Sequence, residues 1–444
     1  MSSLFGALDT AVTGLGAQSS AFGNISDNIA NSQTTGFKAI DTNFQDFLTT
    51  STASVNDSGS VATTPGYENS VQGTITTSTN LNALAISGQG FFQVSQEIAT
   101  SSTGDTFSPL TEYSRDGNFS VDNNGFLAND SGQILNGWSV NPTTGAVDQN
   151  TLQPIQINQT AFAPQATQTV TLSANLPATP DTSASASPIS SQINVFDGEG
   201  TQHAVDLGWA PVSGSTNTWT VTITSPDDPA LNSSATVVFG DGTTPGVPAG
   251  TIASITGISG GTPDTSTTST TTGTAQSPAT LGFTATFNGV QQPITLNLGT
   301  VGGDNGLTQF AGTTYSLRGL TSDGVAPGSY TGYSIESSGA VVLNYNNGET
   351  RTIAQVPIVQ FANPDGLQRQ NGQAYTATTA SGAALAQAAG TGAGSLVTGS
   401  IEASNVDIAT EFSKLIVAQQ AYSANAKMVT TADQMLQTTI DMKQ

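Results

Sequence analysis

Cysteine is missing altogether from the 444 residues. Its absence excludes disulfides, thiolate nucleophiles and zinc–thiolate centres. Cations are scarce: eight Lys and Arg face 31 Asp and Glu, for a formal net charge of −23. A chain of that sign is repelled by nucleic acid and by anionic lipid, so no nucleic-acid partner and no membrane insertion are expected. Charged residues are only 9% of the chain, which leaves a surface built mostly of Ser, Thr, Asn, Gln and Gly. Long apolar runs are lacking as well. No segment approaches 18 consecutive apolar residues, so no membrane-spanning helix is expected. The opening "MSSLFGALDTAVTGLG" has no basic region, and Asp9 interrupts its apolar positions. It does not read as a secretory signal peptide.

Histidine occurs once, at His203. A Ser-His-Asp triad would have to use it, and no G-x-S-x-G elbow accompanies it. Just past the Gly198/Gly200 turn, His203 is expected at a surface or strand edge. Five Asp residues directly precede Gly: Asp116, Asp197, Asp241, Asp323 and Asp365. Asp-Gly is turn chemistry, since Asp bonds its own backbone and Gly supplies positive φ. These carboxylates are therefore read as turn formers. "DGNFSVDNNG" (116–125) lacks the spacing and closing Glu of an EF-hand. No catalytic residue, metal ligand or cofactor is expected.

Glycine is abundant at 48 residues, and Ser and Thr are common, which favours short strands with many turns over long helices. The two ends are exceptions. In residues 4–29, Leu8, Leu15, Phe22 and Ile29 fall seven apart, while Leu4, Ala11 and Ile25 hold a second position. Near the other end, Ile408, Leu415, Tyr422, Val429 and Leu436 fall seven apart, with Phe412, Ala426 and Ile440 on the second position. Both read as helices with a narrow apolar seam that pair with each other, with other copies, or both. Ser404 or Asn405 is the expected N-cap of the second helix, with Asp407 in its first turn. Between the ends the period is two. "QINVFDGEGTQHAVDLGW" (192–209) and "GFTATFNGVQQPITLNLG" (282–299) read as hairpins, the second turning at Asn288-Gly289. Other turns are expected at residues 122–125 and at Asn347-Gly348. Stretches 177–188 and 261–278 are Ser/Thr/Pro-rich and read as exposed loops.

"ANSQTTGFK" (30–38) resembles the N-terminal signature of bacterial flagellar rod and hook axial proteins. "IEASNVDIATEFSKLIVAQQAYSANAKMVTTADQML" (401–436) resembles their C-terminal signature, with Ile401 and Gln420 as mild departures. "LAISGQGFFQV" (84–94) and "YSRDGNFSVDNNGFLAND" (113–130) are shared by rod and hook proteins. "INVFDGEGTQHAVDLGW", "LTQFAG", "DGVAPGSYTGYSIESSGAVVLNYNNGE" and "FANPDGLQR" are similar to the hook members. The residues carrying the terminal signatures are Asn31, Gly36, Phe37 and Lys38, and Ser404, Asn405, Val406 and Asp407.

The resemblance implies a subunit that leaves the cell through the flagellar type III export apparatus without a cleaved signal peptide and lies outside it. Such subunits form a curved hollow homo-polymer, a universal joint that passes torque from rod to filament. Implied partners are further copies, the flagellar rod, the hook cap and the hook–filament junction proteins. The implied fold is mainly β with α-helical termini, a discontinuous multi-domain subunit. Its terminal helices form a coiled coil at 1–30 and 401–444. An extended connecting region covers 31–75 and 366–400, a β-rich middle domain 76–150 and 305–365, and an outer β-sandwich or barrel domain 151–304. A distal rod protein of the same superfamily, and a secreted β-rich adhesin, are the alternative readings. At Lys38 two readings stay open: a partner for a neighbouring subunit's carboxylate, or a solvated lysine.

Overall fold

The computed structural model describes residues 2–51, 56–99, 106–180, 189–259, 277–390, 392 and 394–441. One helix opens the chain, another closes it, and strands occupy the interval. Helix α1 (Ser2–Ala30) stops where the Asn31 side chain donates to the Asp27 carbonyl and to its carboxylate, both at 2.9 Å. Helix α2 (Ile408–Asp441) starts at Asp407, whose Oδ1 accepts the N–H groups of Ala409 (2.8 Å) and Thr410 (3.1 Å). Asp407 is thus the N-cap, in place of the expected Ser404 or Asn405. Asn405 is committed elsewhere, because its Oδ1 accepts the N–H of Ala39 at 2.7 Å. Among the described residues no helix is long and apolar enough to cross a membrane.

The chain divides into two compact units. The first comprises Met1–Gln159, Thr331–Asn344 and Thr350–Gln444. It holds both helices, a hairpin of β1 (Ile40–Ser51) and β2 (Asn56–Tyr67), and most of a branched sheet. The hairpin lies along α1: Asn24 donates to Thr42 Oγ1 (2.8 Å), and the Val61 N–H donates to Thr13 Oγ1 (3.1 Å). The connecting region expected at 31–75 is therefore largely a paired hairpin. Its counterpart at 366–400 also pairs. Ala374–Thr376 joins Glu112–Ser114, and Ser395–Thr398 joins Leu84–Ser87. An aromatic core sits in this unit. Phe91 meets Tyr375 edge-on at 5.6 Å, and Tyr113 meets Phe361 at 4.8 Å.

The second unit comprises Thr160–Tyr330 and Tyr345–Glu349. Two five-stranded sheets share one core, with Leu172, Phe283 and Leu296 from one and Val205, Trp219 and Val237 from the other. It is a β-sandwich. In Thr218–Thr224, Trp219, Val221 and Ile223 point inward and the threonines outward, as a period of two requires. Asn288 (φ 50°) and Gly289 (φ 79°) form a two-residue turn between Phe287 and Val290, at the expected place. The unit extends past the expected limit of 304. Leu307–Thr308 and Ser316–Ser322 both pair with Thr169–Asn175, and Leu307 enters the core.

His203 is a second correction. It is buried, stacked on Phe287 at 4.0 Å, with Nδ1 3.0 Å from Asp227 Oδ2 and Nε2 3.3 Å from Asp197 Oδ2. Its side chain faces inward between the Phe287 ring and the two carboxylates, which is what takes it off the surface. Most of the two Ser/Thr/Pro-rich stretches (181–188 and 261–276) lies outside the described residues.

Candidate assembly site

The two chain ends meet just beyond α1. Gly36 turns the backbone there at φ +70° and donates its N–H to the Glu402 carbonyl at 2.8 Å. A Cβ on Gly36 would stand 2.6 Å from the Asp116 nitrogen and 2.7 Å from the Arg115 carbonyl carbon. The position therefore needs glycine for both space and dihedral. Phe37 is fully buried, with the Arg369 guanidinium 4.4 Å from its ring centroid. Asn405 ties the ends together. Besides accepting from Ala39, its Nδ2 donates to the carbonyls of Glu68 and Val71, each at 3.3 Å.

Lys38 is 2% exposed and Glu402 is 0% exposed. Lys38 Nζ donates to Glu402 Oε1 at 2.5 Å and to the Val71 carbonyl at 2.6 Å. Arg115 completes a triad. Its guanidinium donates to Glu402 Oε2 at 2.8 Å, to the Gly88 carbonyl at 2.8 Å and to the Ile86 carbonyl at 3.3 Å. The Gly73 N–H also donates to Glu402 Oε1, at 2.8 Å. Lys38 is thus neither solvated nor turned toward another subunit; its carboxylate comes from its own chain. Burial pushes the Lys38 ammonium below its usual range, Glu402 opposes that shift, and Arg115 adds to it. Burial likewise pushes the neighbouring Asp116 carboxyl up to about 6. Glu402 and Arg115 were missed in the sequence. The available signal was scarcity, since Arg115 is the only cation between Lys38 and Arg318.

The helices run antiparallel. Phe22 meets Tyr422 edge-on at 6.2 Å, and Asn28 Nδ2 donates to Glu411 Oε2 at 3.1 Å. Asn28 also holds the start of β1, accepting from the Ile40 N–H and donating to its carbonyl, both at 2.9 Å. Small residues dominate the buried positions of the two helices, where α1 packs on both α2 and the hairpin. Ala11, Ala17, Ala21 and Ile25 are buried on α1, and Ala418 and Ala432 on α2. A Cβ on Gly14 would stand 2.9 Å from Asn425 Nδ2. Apart from Ile25, the large residues of the expected seams are less deeply buried. Leu8, Leu15, Phe22 and Ile29 are half-buried, as are Leu415, Val429 and Leu436; the Leu4 side chain lies outside the described residues. Ile408, Phe412, Tyr422 and Ile440 are exposed. Of the signature residues not yet placed, Ser404 Oγ accepts the Val406 N–H at 3.3 Å, and Val406 is half-buried.

Exposed large apolar residues concentrate on these elements. Phe5 and Val12 stand on α1, Phe44 and Phe47 on β1, and Ile416, Val417, Met428 and Met435 join the four on α2. Exposed apolar surface concentrated in this way marks an interaction site.

Four family models match the chain. They are described as flagella basal body rod protein (residues 8–38), flagellar hook protein FlgE/F/G D1 domain (85–175), flagellar basal body protein FlaE D2 domain (157–325) and flagellar basal body rod FlgEFG protein C-terminal (397–442). The flagellar hook protein FlgE of Salmonella typhimurium is 31% identical over 446 residues, covering 98% of this chain and 99% of that one. FlgE of Escherichia coli K12 is 30% identical over 452 residues, covering 98% and 100%. The crystal structure of Helicobacter pylori flagellar hook protein FlgE2 is 13% identical, covers 72% of this chain and 98% of that chain, and gives a TM-score of 0.48.

Proposed function

This chain belongs to the flagellar hook protein family and is a structural subunit of the bacterial flagellar hook, and from that premise we propose how it builds one. Copies polymerise outside the cell into a curved hollow tube that joins rod to filament and transmits torque. The terminal helices line the tube and the β units face outward. Export proceeds through the type III apparatus without a cleaved signal. Growth takes place between the rod, the hook cap and the junction proteins.

The observation that carries this reading is the apolar surface on α1, β1 and α2. A helix of 34 residues whose only buried side chains are Glu411, Ala418 and Ala432 is unfinished as a folded element. Seam residues Ile408, Phe412, Tyr422 and Ile440 supply the missing contacts between copies. The Thr-rich outward face of strands such as Thr218–Thr224 suits polar, wet contacts that slide as the joint turns.

Electron microscopy of polymer grown from purified chain tests the reading. A curved tube is expected; a straight rigid rod would point to the distal rod instead. Phe5→Glu combined with Ile440→Glu should leave a folded monomer by circular dichroism and no tubes. Undiminished tubes from that variant would remove the role given to the helices.

A further inference from the structure

We propose that an open groove between α1, β1 and α2 receives the Ile408–Phe412–Ile416 edge of a second copy of this chain, so that subunits join head to tail. The groove encloses ≈ 430 Å³. Its walls include Ala21 and Ile25 from α1, Phe44 from β1, and Val417 and Ala421 from α2, with Lys414 among the lining. The side chains of Ala21, Ile25, Ile40, Phe44, Val417 and Ala421 give it an apolar floor with a polar margin at Asp41 and Lys414, and a space of this size holds several side chains. Val417 is 66% exposed beside it. The assignment rests on the polymer reading above and adds which surfaces meet.

The occupant follows from the geometry of α2. Ile408, Phe412 and Ile416 recur every four residues and form one edge of the helix. Phe412, 51% exposed, stands at its centre. At 3.6 residues per turn, Val417 lies about 140° round the helix from Phe412. Val417, Met428 and Met435 share that other side, at spacings of 11 and 7. The contact line to α1 takes up a third side, at Ala418 and Ala432. One helix therefore carries two separate apolar faces beyond the one its own chain covers. No single neighbour spans both. A two-fold contact would match a face with itself and leave the other bare. Joining one face to the other gives a heterologous, open-ended contact.

Charge selects the same pairing. In residues 2–51 the only cation is Lys38, and it is buried, whereas Asp9, Asp41 and Asp46 are exposed or half-buried. Asp41 lines the groove and already meets Lys414 of α2 at 3.5 Å, while Asp9 and Asp46 leave the exposed charge of α1 and β1 acidic. Lys427 is exposed and lies three turns beyond Ile416 on nearly the same edge of α2. An incoming edge brings an apolar knob and a cation to an apolar hollow between elements whose exposed charge, at Asp9 and Asp46, is acidic.

The absence of cysteine makes the contact testable by disulfide mapping. Copies carrying Phe412→Cys are mixed with copies carrying Val417→Cys, polymerised and oxidised. A dimer holding one of each is expected in the mixture and in neither population alone. A chain carrying both substitutions should give a ladder of multimers, since the two positions cannot meet within one helix. Ile416→Cys with Ala421→Cys repeats the test. Either pair can be diluted into wild-type copies if substitution hinders growth. Tubes that form with no mixed dimer from either pair would overturn the groove assignment and leave the polymer reading standing. Dimers from Phe412→Cys alone would show a two-fold contact and overturn it as well. Wild-type chain that never polymerises would remove both.

Discussion

Lys38 and Glu402 stand 364 positions apart in the chain and 2.5 Å apart in the fold, both shut away from water. With Arg115 they make two cations and one carboxylate. Removing the carboxylate leaves two uncompensated buried charges, at a cost of about 3–5 kcal/mol. Glu402→Gln should therefore lower stability by that order in chemical denaturation. Lys38→Met leaves the Arg115–Glu402 pair balanced and should cost distinctly less. Equal losses for the two would mean that the triad is not organised around Glu402.

Asp116 gives a pH dependence. Its carboxyl, pushed up to about 6 by burial, compares with about 3.9 in an unfolded chain. Between those values the folded chain holds a proton that the unfolded chain lacks, so stability falls as pH rises through the window. Above it the cost is fully present, at most ~3 kcal/mol. Asp116→Asn keeps an oxygen for the Asn118 N–H, accepted at 3.2 Å. The variant should be more stable than wild type at pH 7.5 by about 1–3 kcal/mol, with the difference closing toward pH 4. A gap of constant size across that range would contradict the shift.

Gly36 and Gly16 should respond oppositely to alanine. At Gly36 a Cβ meets backbone at 2.6 Å and φ is +70°, so Gly36→Ala should cost about 1–3 kcal/mol or more. Gly16 is inside α1 and a Cβ there meets nothing within 4 Å. Gly16→Ala should add about 0.5–1 kcal/mol of stability. Thermal melts of the two variants decide it.

At the start of α2, Asp407 accepts two backbone N–H groups. Asp407→Ala should cost about 1 kcal/mol and speed hydrogen exchange at Ala409 and Thr410. Exchange unchanged at both amides would deny Asp407 the capping role.

Much of the fold was legible because the signals are local. A period of two marks the strands of residues 192–224, and Asn288-Gly289 turns where its positive φ values allow. The heptad spacing at both ends marks helices, since it concerns residues one or two turns apart. The expected cap erred for a different reason. Asn405 is a good cap by type, but its side chain is claimed by Ala39, hundreds of residues earlier. Of the expected seams, Phe22 meets Tyr422 between the helices and Ile25 is buried, while Ile408, Phe412 and Ile440 stay exposed within one chain. His203 was misplaced because Phe287 and Asp227, which cover it, come from segments that no local pattern links to it.

By itself, then, the sequence determined the elements, the turns, the acidic polar surface and, through its terminal signatures, the family. Only the tertiary structure decided which carboxylate answers Lys38. Burying an ion pair costs several kcal/mol per charge unless the geometry and the remaining hydrogen bonds are met. Those conditions are set by Arg115, Gly73, Val71, Ile86 and Gly88. All of them approach from segments distant in the chain from Glu402, so the partner becomes identifiable only when the two ends are brought together.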